Sequence, residues 1–140
     1  MVEIMVVVVI VGLLAAIAIP AFKIVQDRSK ASFLANNFRI YRAEFEVFAL
    51  EKGHWPPDAN RGVVPQGMEG RLNRFWEESP TGDLWDWEHN AVGVTAGISL
   101  VGINTTEDIM LRVARILDDG SLSSGDFRRN GNRYTWILEH

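Results

Sequence analysis

Few side chains in this sequence could do chemistry, and their spacing excludes most reactions. Cysteine is absent, which removes thiol catalysis, disulfides and cysteine-bound zinc together. The three histidines, His54, His89 and His140, form no i, i+4 pair and no H-E-x-x-H pattern. There is no G-x-S-x-G elbow, no glycine-rich phosphate loop and no nucleophile spaced to meet a base. No catalytic residue is assigned, and the chain does not read as an enzyme. Two acidic sets remain. Asp58, Glu69, Glu77, Glu78, Asp83, Asp86 and Glu88 outnumber Arg61, Arg71 and Arg74 in the same stretch, which reads as a solvated face. The run from Asp118 to Asp126 is dense enough in oxygen for calcium held by Asp118, Asp119 and Asp126, although it lacks the EF-hand spacing and closing Glu. A helix C-cap followed by a turn accounts for the same residues.

The remaining carboxylate of interest is Glu3, because it borders a long apolar run. From Ile4 to Phe22 no side chain is charged or hydrogen-bonding. As a helix this run is about 28 Å long, roughly one hydrocarbon thickness. A cleavable signal peptide would begin with Lys or Arg and have a shorter apolar core, whereas Met1-Val2-Glu3 is acidic. Ile4, Val7, Ile10, Leu13, Leu14, Ile17 and Phe22 are therefore the candidates for a membrane-spanning or filament-core surface. A carboxylate costs about 2.5–3.5 kcal/mol at the centre of a bilayer and less near its edge. Glu3 either rests among headgroups or meets a cation, and the N-terminal amine of a neighbouring subunit is the natural one. Pro20 removes a backbone donor inside the run, and Gly12 is a second soft point. The helix is expected to bend or melt between them on leaving lipid for a protein-packed environment.

The elements that position these residues can be read from periodicity. Ala31, Leu34, Phe38, Tyr41, Phe45 and Phe48 recur at steps of three and four, the pattern of one buried helix stripe, and Gly53 supplies the stop. Residues 1–22 form an apolar helix half, 23–52 an amphipathic half of the same helix, and 53–140 a small head. In the head, Met68, Leu72 and Phe75 predict a short helix. Leu84 to Glu88, Val92 to Val101 and Tyr134 to Leu138 predict strands. Thr105 with Asp108 predicts a capped helix start, Ile109, Val113, Ile116 and Leu117 its buried face, and Gly120 its end. The expected fold class is α+β, with the long helix laid across a small, mostly antiparallel sheet. Five tryptophans are assigned to core and subunit packing. The net charge of −4 argues against nucleic acid as the main partner, and none is expected.

The run Glu3 to Phe22, EIMVVVVIVGLLAAIAIPAF, resembles the N-terminal cleavage and methylation motif of type IV pilins and type II secretion pseudopilins. Gly53-His54-Trp55-Pro56, and the Pro-x-Gly-x-Leu-aromatic run from Pro80 to Trp87, are similar to the major pseudopilin of that group. The resemblance implies a pilin-like fold with its hydrophobic helix half protruding. It also implies a bacterial inner-membrane precursor, a helical homo-oligomer (a fimbrium or a periplasmic pseudopilus), and a prepilin peptidase and assembly platform as partners. Glu3 takes the place of the residue that neutralises a neighbour's amine and sets register, and major pseudopilins use a calcium-stabilised loop. In this family a basic leader precedes the mature chain, which begins two residues before the position of Met1. Here Lys23, Arg28 and Lys30 come after the span and no basic residue precedes it, which the positive-inside rule opposes for an exported head. Both points lead to the expectation that residues before Met1 are missing. The alternative is a single-pass tether for a binding domain that never polymerises.

Overall fold

In the computed structural model, which describes all residues from Met1 to His140, one helix, α1, runs unbroken over Val2–Lys52. Nothing between Ala21 and Lys52 interrupts it, and Gly53 ends it in the left-handed conformation that only glycine adopts without strain (φ 76°), donating its N–H to the Ala49 carbonyl at 2.8 Å. The remaining elements are β1 (Leu84–Ala91), β2 (Val94–Val101), α2 (Glu107–Leu117), β3 (Phe127–Asn130) and β4 (Arg133–Glu139). The strands form one antiparallel sheet in the order β1-β2-β4-β3. The fold is α+β, a long N-terminal helix on a small antiparallel sheet.

Alternation places Trp85 and Trp87 of β1, Ile98 and Leu100 of β2, and Tyr134 and Trp136 of β4 on one face of the sheet. That face meets the buried stripe of α1. Phe38 sits edge-on to Trp85, Phe127 and Trp136, Tyr41 edge-on to Phe75 and Trp85, and Phe45 lies flat on Trp87 with centroids 3.8 Å apart. Such aromatic pairs contribute about 0.5–1.5 kcal/mol each beyond the area they bury. Helix α2 closes the core with Ile109, Met110, Val113 and Ala114.

Four local expectations are corrected. Met68, Leu72 and Phe75 are buried, but their segment is a chain of turns held by Gly67 and Gly70 in left-handed conformations rather than a helix. Helix α2 begins one residue later than expected, with Thr106 at its N-cap and no side-chain cap. Thr105 turns instead to Asp83, its hydroxyl donating to Oδ2 at 2.5 Å. On α2, Ile116 faces solvent and Met110 and Ala114 lie inside, because the buried arc is rotated around the helix axis toward Met110 and Ala114 and leaves Ile116 beyond its edge. Strand β3, which the sequence pattern does not announce, carries only Phe127 inward and three exposed polar residues, too short a run to alternate visibly.

Candidate functional site

The first half of α1 stands apart from everything else in the chain. Every residue from Met1 to Gln26 is exposed, and α1 is the one helix long and apolar enough to cross a membrane. Ile4, Val7, Ile10, Leu13, Leu14, Ile17 and Phe22 each show half or more of their surface. They point all round the helix axis, so no rotation of the head could cover them. Glu3 lies in the first helical turn, where the helix dipole favours a carboxylate, and the first basic residue along the chain is Lys23. Within the chain Glu3 makes no ion pair. Gly12 has open space around the position of a Cβ, so packing does not require glycine there. The helix passes through Gly12 and Pro20 without a break; the expected melting concerns the assembled state. Pro20 still leaves the Ala16 carbonyl without its i+4 donor.

The loop from Asp118 to Asp126 is occupied with its own backbone. Asp118 Oδ2 accepts the N–H groups of Asp126 at 2.6 Å and Phe127 at 3.0 Å. Asp119 accepts from the Ser121 N–H and the Ser124 hydroxyl, and these hydrogen bonds hold its carboxyl below the usual range. Asp126 pairs with His140 at 2.9 Å. A Cβ on Gly125 would lie 2.1 Å from Asp118 Oδ2, so the turn that aims this carboxylate at the backbone needs a glycine. No three His, Asp or Glu side chains in the structure group so as to hold a metal ion. As they stand, Asp118 and Asp119 spend their oxygens on N–H and O–H groups of their own loop, the arrangement of a helix C-cap and turn.

The acidic stretch is a solvated face only in part: Asp58, Glu69, Glu77 and Glu78 are exposed, whereas Asp83, Asp86 and Glu88 are buried. Asp83 braces the β2–α2 connection by accepting from the N–H groups of Asn104 at 3.0 Å and Thr105 at 2.8 Å. Gly102 permits that approach, since a Cβ there would overlap the carboxylate. Asp86 and Glu88 alternate with Trp85 and Trp87, so they share the sheet face turned away from α1. Arg133 of β4 reaches both: it is ion-paired with Glu88 and lies 3.6 Å from Asp86. Asp86 Oδ1 is buried with no partner. Burial, reinforced by the Glu88 charge and opposed by Arg133, pushes the Asp86 carboxyl up to about 7. The alternation of acid and tryptophan in β1 was the available signal for this site. What the sequence could not show was that Arg133, two strands away, lies opposite.

His54 and His89 line an open groove with Trp55, Thr95 and Glu139, in which Glu139 accepts the Trp55 indole N–H and the Thr95 hydroxyl donates to the His140 carbonyl. Trp85, Trp87 and Trp136 are buried in the core, Trp55 packs against its edge, and Trp76 is exposed. No protein-family model matches the chain, and no solved structure matches it.

Proposed function

We propose that the protein is the structural subunit of a filament of the type IV pilin and pseudopilin class, drawn from a membrane by its N-terminal helix. One observation carries the reading. The half of α1 from Ile4 to Phe22 is apolar around its whole circumference and buried by nothing in its own chain. Such a surface must be covered by lipid or by copies of itself. The length suits a bilayer, and Lys23, Asp27, Arg28 and Lys30 mark where the helix leaves hydrocarbon for headgroups. In the membrane each half is covered by lipid; in the filament the halves of many subunits cover one another.

Glu3 makes the second state specific. Among aliphatic side chains an unpaired carboxylate is costly, and no Lys or Arg lies between Met1 and Phe22. The cation available is the amine at the mature N-terminus of an adjacent subunit, brought alongside by the axial stagger between chains. In a simple tether a carboxylate at this position would serve the helix dipole alone and would need no partner from another subunit. The heads, held outside by the second half of α1, then form the outer layer, and the subunit depends on a prepilin peptidase and an assembly platform.

The test is Glu3→Gln in a host that assembles the wild-type protein. Membrane insertion is expected to persist, while filaments in the sheared surface fraction or periplasm disappear or fall sharply. Breaking a buried pair and leaving the amine unmatched costs about 3–5 kcal/mol, and Glu3→Asp is expected to rescue part of the loss. Assembly of Glu3→Gln at normal yield and length would contradict the role of Glu3 and favour the non-polymerising tether.

A further inference from the structure

The outer edge of β1 is covered by a strap. After α1 stops at Gly53, the segment from Pro56 to Gly62 runs along this edge strand and is tied to it through hydrogen bonds. The Trp87 indole N–H donates to the Pro56 carbonyl at 3.1 Å, the His89 N–H to Asp58 Oδ1 at 3.0 Å, and the Gly62 N–H to the Trp85 carbonyl at 2.7 Å. The strap thereby satisfies a strand edge that would otherwise stand open to solvent or to another chain. Of its residues only Pro56 is buried, so polar ties rather than packing hold it down.

Beside the strap lies a charge imbalance. On the sheet face turned away from α1, buried Asp86 and Glu88 share one cation, Arg133, which pairs with Glu88 and stays 3.6 Å from Asp86. A third carboxylate, Asp58 of the strap, adds its repulsion to that of Glu88 at Asp86. The residue opposite Asp86 on β2 is Ser99, whose hydroxyl is spent on Thr135 of β4 at 2.7 Å. Asp86 Oδ1 is thus left buried with no partner, the one such side-chain atom in the structure. Three carboxylates act against one guanidinium, and a positive charge is missing. A proton on Asp86 supplies it and makes the carboxyl a donor.

We propose that Asp86 is a proton-operated latch for the strap: when protonated it lets Pro56 to Gly62 lie on β1, and when ionised it drives the strap off by repelling Asp58. The step is the loss of one proton from the Asp86 carboxyl to water, and no covalent bond other than that O–H breaks. Burial first, and then the Glu88 charge, push this carboxyl up from 3.8 to about 7. A carboxyl raised in the closed form favours closure fully below its ordinary value, and that contribution is lost as pH rises through 7. The strap gives way before the rest of the head because α1, β2 and β4 are joined through the aromatic core, whereas the strap has only its polar ties. The latch lies wholly within one head, so it operates whether or not the chain assembles.

Hydrogen–deuterium exchange of the full-length protein in detergent, compared at about pH 5.5 and about pH 8.5 after correction for intrinsic exchange, tests the latch. Opening of the strap and β1 is expected to rise at least about tenfold between the two, because Asp86 regains its ordinary value once the strap is off. The buried stripe of α1 and strand β4 are expected to stay better protected than β1 throughout. Asp86→Asn is expected to abolish the rise. Asp58→Asn, an exposed substitution that keeps an acceptor for the His89 N–H, is expected to cut it by half or more. Equal protection of β1 and α1 at the higher pH would overturn the latch, because the head would then open only as a whole. A rise that is absent from the wild type, persists in Asp86→Asn or is untouched in Asp58→Asn would overturn it as well.

Discussion

Leu13 and Phe38 are both large apolar residues of one unbroken helix, yet Leu13 is 63% exposed and Phe38 is fully buried. Hydrophobicity does not separate them; periodicity does. From Ala31 onward one set of apolar residues returns every three or four positions and collects on one side of the helix, which turns toward the tryptophans of the sheet. From Ile4 to Phe22 every position is apolar, no side is preferred, and a head of fewer than ninety residues cannot enclose a rod from all directions. One backbone therefore serves two environments. The first half is stable only where lipid or other copies surround it, and the second carries its own cover.

The sharpest separation of the two halves is energetic. Phe38→Ala or Phe45→Ala removes an aromatic ring from the packed centre of the core and is expected to destabilise the head by about 3–5 kcal/mol. Leu13→Ala or Ile17→Ala is expected to leave head stability unchanged. Urea unfolding of the detergent-solubilised protein, monitored by tryptophan fluorescence, measures both. A large effect from Leu13→Ala would mean that the halves are coupled in the isolated chain.

Asp86 extends the comparison to pH, because titration sensitivity is expected in the head and not in the apolar half. Its carboxyl is raised from 3.8 to about 7 in the folded state, so the folded protein holds the proton more tightly than the unfolded one. The associated stability is complete below about pH 4 and is lost as pH rises through 7. Asp86→Asn, which resembles the protonated form, is expected to match the wild type near pH 4 and to exceed it by roughly 2–4 kcal/mol at pH 8. Thermal melts across that range give the difference curve, and a flat difference would mean that Asp86 is solvated.

Asp83→Ala is expected to cost about 1–3 kcal/mol, because it leaves buried N–H groups at Asn104 and Thr105 without an acceptor; the same melts at one pH report it. The smallest effect belongs to the surface of the second helix half. Glu46→Gln breaks the i, i+4 pair with Arg42 and is expected to cost no more than about 0.3–0.5 kcal/mol.

Legibility in the sequence divides along the same line. The long helix, its stop at Gly53 and its buried stripe apart from Ala35 can be read from spacing, because a regular helix converts sequence distance into direction. Strands β1, β2 and β4 can be placed for the related reason of alternation. The turns around Met68 to Phe75 mislead because three apolar residues at helical spacing look alike whether a helix or a glycine-bent chain buries them. Asp83 and Asp86 look solvated because their partners, Thr105 and Arg133, are distant in sequence and adjacent only once the sheet is formed. Phe33, Ile40, Val47 and Leu50 are spaced as regularly as the buried stripe, yet they are exposed. Only the structure distinguishes which of the two faces the head covers.

The central claim is that Ile4–Phe22 is covered by copies of itself, and electron microscopy of assembled wild-type material tests it most directly. Shear and periplasmic fractions from cells that carry the assembly machinery should contain periodic fibres. A map of them should show the Ile4–Phe22 segments bundled at the axis, the heads outside, and helical hydrogen bonding lost between Gly12 and Pro20. A full-length protein that remains monomeric after extraction from the membrane, with no fibre in any fraction, would contradict it.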